Sequence, residues 1–377
     1  SVAALQATVG ASAAQSSVDS AIQIAAIGNI YGDASLDLNR PDDARRAFER
    51  ARELGDLTRK REPNSAELSE VQLRSRRGLA RVALSGGDRA AAREQVDTAI
   101  SMGDELVAAN PNSAMVTLAL QGLLSFSATL SEQSNDRAAQ LKALGRAVDL
   151  MAQSAARDSR NLFIQAEFAF ALRRLGEVQL LKRDLDSAEV SLNRALALDR
   201  RLLESNPLRP FARRYLAATL EQIGRLRMHQ KSFDLSFAAH QEALAIRQAL
   251  ASEFPKEPLW LGFVAISQFQ LGRLLFAQLR LPEALAQQQI AEATFAETAH
   301  LSATVAARKD WLDACYETVT LMAEMQRYDD AVQHLRLARS NALGGNGAPN
   351  LSADYRVLFD RTEALLLATI KTGKAPG

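Results

Sequence analysis

The sequence has little of what most catalytic and metal centres are built from. There is one cysteine, Cys315, and there are four histidines, His229, His240, His300 and His334. A lone cysteine excludes an intrachain disulfide and a cysteine-based metal cluster. The histidines form no HExxH pattern and no close pair with the cysteine, so a zinc site is not expected. Aromatic residues are only 6%, while Ala and Leu dominate an apolar share of 47%. That composition excludes a typical β-sandwich and favours closely packed helices. A charge excess is also missing, since 45 Lys and Arg face 44 Asp and Glu. The balance provides no long-range field for nucleic acid or an anionic membrane. No long hydrophobic run is present either. The uncharged stretch Asn110 to Ser131 carries Asn, Thr, Gln and several Ser, which points to a buried helix rather than membrane insertion. Ser1 to Val18 has neither a basic start nor a sustained apolar run, so it does not read as a secretory signal. The compartment stays open: cytoplasmic, periplasmic, or the soluble part of a membrane-anchored protein.

Enzyme signatures are absent in the same way. No phosphate loop follows the G-x-x-x-x-G-K-[ST] pattern, because Gly86-Gly87 lacks the lysine. There is no G-x-S-x-G elbow and no HRD or DFG set. The acid doublets Asp42-Asp43 and Asp329-Asp330 sit where first turns of helices are expected, and the helix dipole accounts for them. The basic doublets Arg173-Arg174 and Arg200-Arg201 lie near acids, as on a solvated face. No cofactor is expected.

What is present is a period. Gly176, Gly224 and Gly272 are 48 residues apart, as are Ala188, Ser236 and Ala284, then Ala195, Ala243 and Ala291, and also Pro207 and Pro255. Small residues at fixed spacing mark stacked repeats. Apolar residues recur at three and four, as in Leu185, Ala188, Leu192, Ala195, Leu196 and Leu202, which is the helical period. Each unit therefore reads as two helices joined by a short turn.

Taken in order, residues 2–9 read as the end of a helix and residues 10–17 as a connector. The array runs over 18–342 as about seven hairpins. Turns are expected at Gly86-Gly87-Asp88, Ser134-Asn135-Asp136, Lys182 to Asp184, Gln230 to Ser232, Leu279 to Leu281 and Gln326 to Asp329. Gly78 is paired with Ala90 as Gly176 is with Ala188. Residues 343–350 break the array, and 351–377 form a C-terminal capping helix and a tail. His240 falls on a packing column and is expected in the core, and Cys315 is expected as a buried thiol.

The columns resemble those of the tetratricopeptide repeat family: Leu172, Leu175, Gly176, Ala188, Leu192, Ala195 and Pro207, then Leu220, Ile223, Gly224, Ser236, His240, Ala243 and Pro255, then Gln268, Leu271, Gly272, Ala284, Gln288 and Ala291. The first unit supplies Gly32, Ala44, Phe48, Ala51 and Pro63. The resemblance implies an all-α fold, a right-handed α-solenoid of antiparallel helix pairs whose first helices line a concave face. The period departs from the family's 34 residues, with the extra length expected in the second helices. The run Ala243-Leu244-Ala245-Ile246-Arg247, with its Phe254-Pro255 stop, is also similar to long-period arrays attached to bacterial Ser/Thr protein kinases, which implies a regulatory or partner-binding region.

Binding residues should then lie one turn from the packing column: Asn29 and Asp33, Arg173 and Glu177, Glu221, Arg225 and His229, and Phe269, Arg273 and Phe276. Arg225 and Arg273 occupy equivalent columns and could clamp a carboxylate or carbonyl of a peptide, or could instead pair with Glu221 and Glu177. The expected function is a non-catalytic protein- or peptide-binding scaffold, the regulatory or sensory part of a bacterial signalling protein. The alternative is a small-molecule sensor with an apolar pocket around Phe269 and Phe276.

Overall fold

The computed structural model describes residues 17–63, 65–205, 209–302, 304–343 and 353–372. Fifteen α-helices and no strands occur among them. They form seven hairpins: α1 (Val18–Asp37) with α2 (Pro41–Arg59), α3 (Ala66–Ser85) with α4 (Arg89–Ala109), α5 (Ala114–Gln133) with α6 (Arg137–Arg157), α7 (Leu162–Leu181) with α8 (Leu185–Ser205), α9 (Pro210–His229) with α10 (Phe233–Glu253), α11 (Pro258–Ala277) with α12 (Leu281–Ser302), and α13 (Val305–Glu324) with α14 (Tyr328–Leu343). A last helix, α15 (Ala353–Thr372), packs on α14. Two compact units divide within α8, between Leu198 and Asp199. In the first unit α1 also packs on α3, α3 on α5 and α5 on α7; in the second, α9 packs on α11. The expected helix in residues 2–9, most of the connector, Pro207, and the break and tail beyond Leu343 and Thr372 lie outside the described residues.

The turns carry the period most exactly. Asn39, Gly87, Asn135, Arg183, Lys231, Leu279 and Gln326 all have φ between 55° and 83°. Five successive intervals between them are 48 residues and the last is 47. At each, the left-handed residue's N–H bonds the carbonyl three residues back and the next N–H bonds the one five back. Gly87 donates to Leu84 and Asp88 to Ala83, both at 3.0 Å, while Lys231 donates to Met228 at 3.0 Å and Ser232 to Arg227 at 2.8 Å. This closure satisfies the last carbonyls of the first helix. The following residue then starts the second helix, and Asp88, Asp136 and Asp184 cap the N–H groups of Ala91, Ala139 and Ser187. Where α9 and α11 lack a capping side chain, Pro210 and Pro258 stand in the first turn. The sixth turn lies one residue earlier than the sequence suggested, because α12 begins at Leu281.

The extra length is not confined to the second helices. All seven first helices have 20 residues, and the second helices of the first six hairpins have 19 to 22. Both arms of the hairpin are therefore lengthened. Ala51, Ala99, Ala147, Ala195, Ala243, Ala291 and Ala338 hold the equivalent position in the seven hairpins, and all are buried. A second rule governs volume. A small residue on the first helix faces a large one on the second, as with Gly32 under Phe48 and Gly176 under Leu192, where an added Cβ would come within 2.6 Å of the opposing side chain. In this column the second hairpin uses Ala80, with Ala92 as the partner of Ala188. The expected pair Gly78 and Ala90 is displaced by two residues: Ala90 is exposed, and Gly78 instead lies on the other side of the Phe48 ring.

Helices α5 and α11 are long and apolar enough to cross a membrane by length and composition. In the structure their Leu120, Leu123 and Leu124, and Val264, Leu271 and Leu274, are buried against neighbouring helices.

Candidate functional site

The first-helix faces hold the residues singled out for binding, and the structure separates them into three groups. Asn29 and Glu221 belong to the interior, which corrects their expected place on an open face. Asn29 is 0% exposed; its Nδ2 donates to the Val71 carbonyl at 2.9 Å, and its Oδ1 accepts from the Ser75 hydroxyl at 2.9 Å. Glu221 is 9% exposed and forms an ion pair at 2.7 Å with Arg247 of α10. Asn29 is covered by the next first helix, and Glu221 by Arg247 on the second helix of its own hairpin.

The second group is half-buried and engaged. Asp33 accepts from Arg74 at 3.1 Å and also from Arg81. The Arg173 guanidinium lies 5.2 Å from the Phe170 ring centroid, and Glu177 is 3.8 Å from Arg174. Arg225 donates to Gln222 at 2.9 Å. His229 is half-buried in the last turn of α9. Phe269 meets Phe295 edge-on at 6.3 Å, in a cluster with Ala265, Ala314 and Trp311. Only the third group, Arg273 and Phe276, is exposed. The expected pocket around Phe269 and Phe276 is thus divided: one ring packs inward and the other, 41% exposed, faces out.

Residues that column reasoning passed over turn out to be prominent. Arg77 stands 96 residues before Arg173, in the same column as Asn29, and it shares the face of α3 with Arg74 and Arg81. Its pKa is lowered, first by burial and then by Arg74 and Arg81, against the pull of Asp33 and Glu70. In the second unit, Arg247 reaches inward to donate to the Ser267 hydroxyl at 2.9 Å and the Phe263 carbonyl at 3.1 Å. His240 is 1% exposed with its ring against Gly224, as a core histidine should be. Burial lowers its pKa to about 4, helped by Arg247 and Arg225 and opposed by Glu221.

A third cluster joins α12, α13 and α14. Glu292 accepts from His334 Nε2 at 2.9 Å and from the Cys315 thiol at 3.3 Å. Burial raises the Glu292 carboxyl, but hydrogen bonds and charge from His334, Thr318 and Cys315 outweigh it and hold the pKa below the ordinary value. The Cys315 thiol is pushed far up by burial and by Glu292, which makes it a poor nucleophile. In the third to fifth hairpins the equivalent positions are Leu124, Leu172 and Leu220 for Cys315, and Val148, Leu196 and Leu244 for Glu292. Polar contacts here replace an apolar seam.

No protein-family model matches the sequence, and no curated protein matches it. Solved structures do match in shape. The apo form of RapI aligns at a TM-score of 0.56, covering 93% of this chain and 84% of that one at 12% identity. A Rap protein complexed with Competence and Sporulation Factor aligns at 0.51, covering 90% and 84% at 15% identity. A tetratricopeptide repeat protein from Parabacteroides merdae ATCC 43184 aligns at 0.39, covering 91% and 98% at 12% identity. The fold is a tetratricopeptide-like helical repeat array. At these identities the likeness is one of architecture, and the tetratricopeptide-like columns serve packing first: Gly176, Ala188 and Ala195 are all buried between helices.

Proposed function

We propose that the chain is a non-catalytic scaffold that captures a protein or peptide along the first-helix faces of its hairpins. The observation that carries this reading is the division of labour within each hairpin. One side of the first helix is used up by the Gly and Ala columns. Beside it stand charged and aromatic groups, including Arg173, Arg225, His229, Arg273 and Phe276, of which Arg273 and Phe276 are exposed. Stacked repeats commonly use such a surface for extended partners. A Rap protein, one of the proteins of similar fold, has been solved with Competence and Sporulation Factor bound, which favours a partner-binding role over chemistry. The wording around Ala243 to Arg247 and Phe254-Pro255 favours a place in a bacterial signalling protein, beside a Ser/Thr kinase.

Arg225 and Arg273 hold equivalent positions on α9 and α11, which pack together. A partner carboxylate or carbonyl held between them would gain charge-assisted hydrogen bonds. The Arg225→Glu/Arg273→Glu double variant should lose partners captured from a lysate of the source organism and identified by mass spectrometry, with its helical circular dichroism unchanged. Undiminished capture would remove these two residues from the binding surface. The small-molecule alternative is not extended, because the Phe269 ring is already committed to Phe295.

A further inference from the structure

We propose that Arg77 is the anchor of a carboxylate-binding site on the first-helix face of the first unit. The proposal rests on the scaffold reading, deepens it by naming the chemistry recognised, and is independent of Arg225 and Arg273. The three arginines of this face are not equivalent. Arg74 and Arg81 share the Asp33 carboxylate, and Arg74 also lies 3.8 Å from Glu70. Arg77 makes no ion pair or hydrogen bond with any described residue. A half-buried guanidinium without a protein acceptor keeps donors free for a ligand, so an acceptor supplied from outside would gain charge-assisted hydrogen bonds there.

The backbone is shaped to hold it there. The Arg77 guanidinium crosses from α3 onto α5 at Gly122, where any Cβ would collide with Nη1. Its charge is felt as far as Glu167 on α7, whose pKa is raised by burial and lowered again by Arg77. Arg77 is therefore fixed over the middle of three adjacent first helices, with its fork of donors uncommitted. Such a fork fits a carboxylate or a phosphate. Charge selects between them. With Arg74 and Arg81 held by Asp33, one cation remains, flanked by Glu70 and Glu167. A singly charged carboxylate complements that arrangement, whereas a dianionic phosphate would face two carboxylates. The ligand is therefore an acidic side chain of a partner segment lying across α3, α5 and α7.

The test follows the arginine Nε–Hε resonances of the full chain by NMR while sodium acetate is added, with sodium chloride at matched ionic strength and methyl phosphate in parallel. One resonance, absent from Arg77→Gln, should shift saturably with acetate, at an apparent affinity about tenfold above that for chloride. Methyl phosphate should bind more weakly than acetate. Gly122→Ala, which displaces the guanidinium, should abolish the shift while Arg74 and Arg81 resonances stay in place. A resonance that responds equally to acetate and chloride would overturn the proposal, as would tighter binding of methyl phosphate or a response unchanged in Gly122→Ala. Those outcomes would leave the capture experiment on Arg225 and Arg273 unaffected.

Discussion

The two units share one hairpin geometry and fill it with different chemistry. In the first, the residue opposite the small column is Phe48, Val96, Leu144 or Leu192; in the second it is His240 and Gln288 in two hairpins and Leu335 in the last. Two turns further along the second helices the contrast recurs at Asp199 and Arg247, though not at Phe295 of the sixth hairpin. Gly103 faces Leu120 in the first unit, where Met151 is also buried, while in the second Asp199 accepts from Thr219 at 2.7 Å and Arg247 donates to Ser267 at 2.9 Å. Thr219 and Ser267 are themselves 48 residues apart. Backbone register is thus set by the small residues and the turns, and it tolerates either an apolar or a hydrogen-bonded filling. The second unit should accordingly be more sensitive to removal of a single partner and to pH.

The largest effect should come from the buried ion pair. Arg247→Met leaves Glu221 without its partner, and the urea midpoint should fall by the equivalent of about 3–5 kcal/mol. Adding Glu221→Leu should restore much of the loss; a double variant as unstable as the single one would show that the pair is not the cause. Next comes acid. The folded pKa of His240, about 4, lies below the unfolded value of 6.5. The unfolded chain therefore takes up the proton first, so this group's contribution is full above about pH 6.5 and drains away as pH falls towards 4, by up to about 3 kcal/mol. Chemical denaturation across that window should show the slope in the parent and a flatter one in His240→Leu, which places leucine where the fourth hairpin has Leu192. Overpacking the first unit should cost less: Gly32→Ala forces the Phe48 ring to move, at about 1–3 kcal/mol. Gly176→Ala should cost less again, since Ala128 already sits opposite Leu144. A larger loss for Gly176→Ala would break the volume rule. The smallest effect is a gain. Leu279 is 81% exposed at φ 60°, and Leu279→Gly should relieve about 1 kcal/mol of backbone strain, visible as a raised melting temperature.

Much of the fold was legible because side-chain size repeats. Gly176, Gly224 and Gly272, together with the alanine column, fix the hairpins without any knowledge of contacts. The left-handed turns were legible in place but not in kind, since Arg183, Lys231, Leu279 and Gln326 stand where glycine or asparagine would have announced the conformation. The site was less legible. Arg247 sits in a run, Ala245 to Leu250, that reads as the continuation of a helix, and nothing local says that its guanidinium turns inward to Ser267. Distance from the packing column places Asn29 and Glu221 on an open face, but Asn29 is covered by the next first helix and Glu221 by Arg247 of its own hairpin. Arg77 had a signal, its shared column with Asn29 and Arg173, yet its lack of an acceptor is visible only in three dimensions.

The most direct check of the packing register is the titration of the His240 imidazole in the folded chain, followed by its ring nitrogen and carbon resonances and assigned with His240→Leu. A ring sealed between Gly224 and the Glu221–Arg247 pair should remain neutral down to about pH 4. Titration near the ordinary value of 6.5 would mean that the ring is open to water, and the register deduced for the second unit would be contradicted.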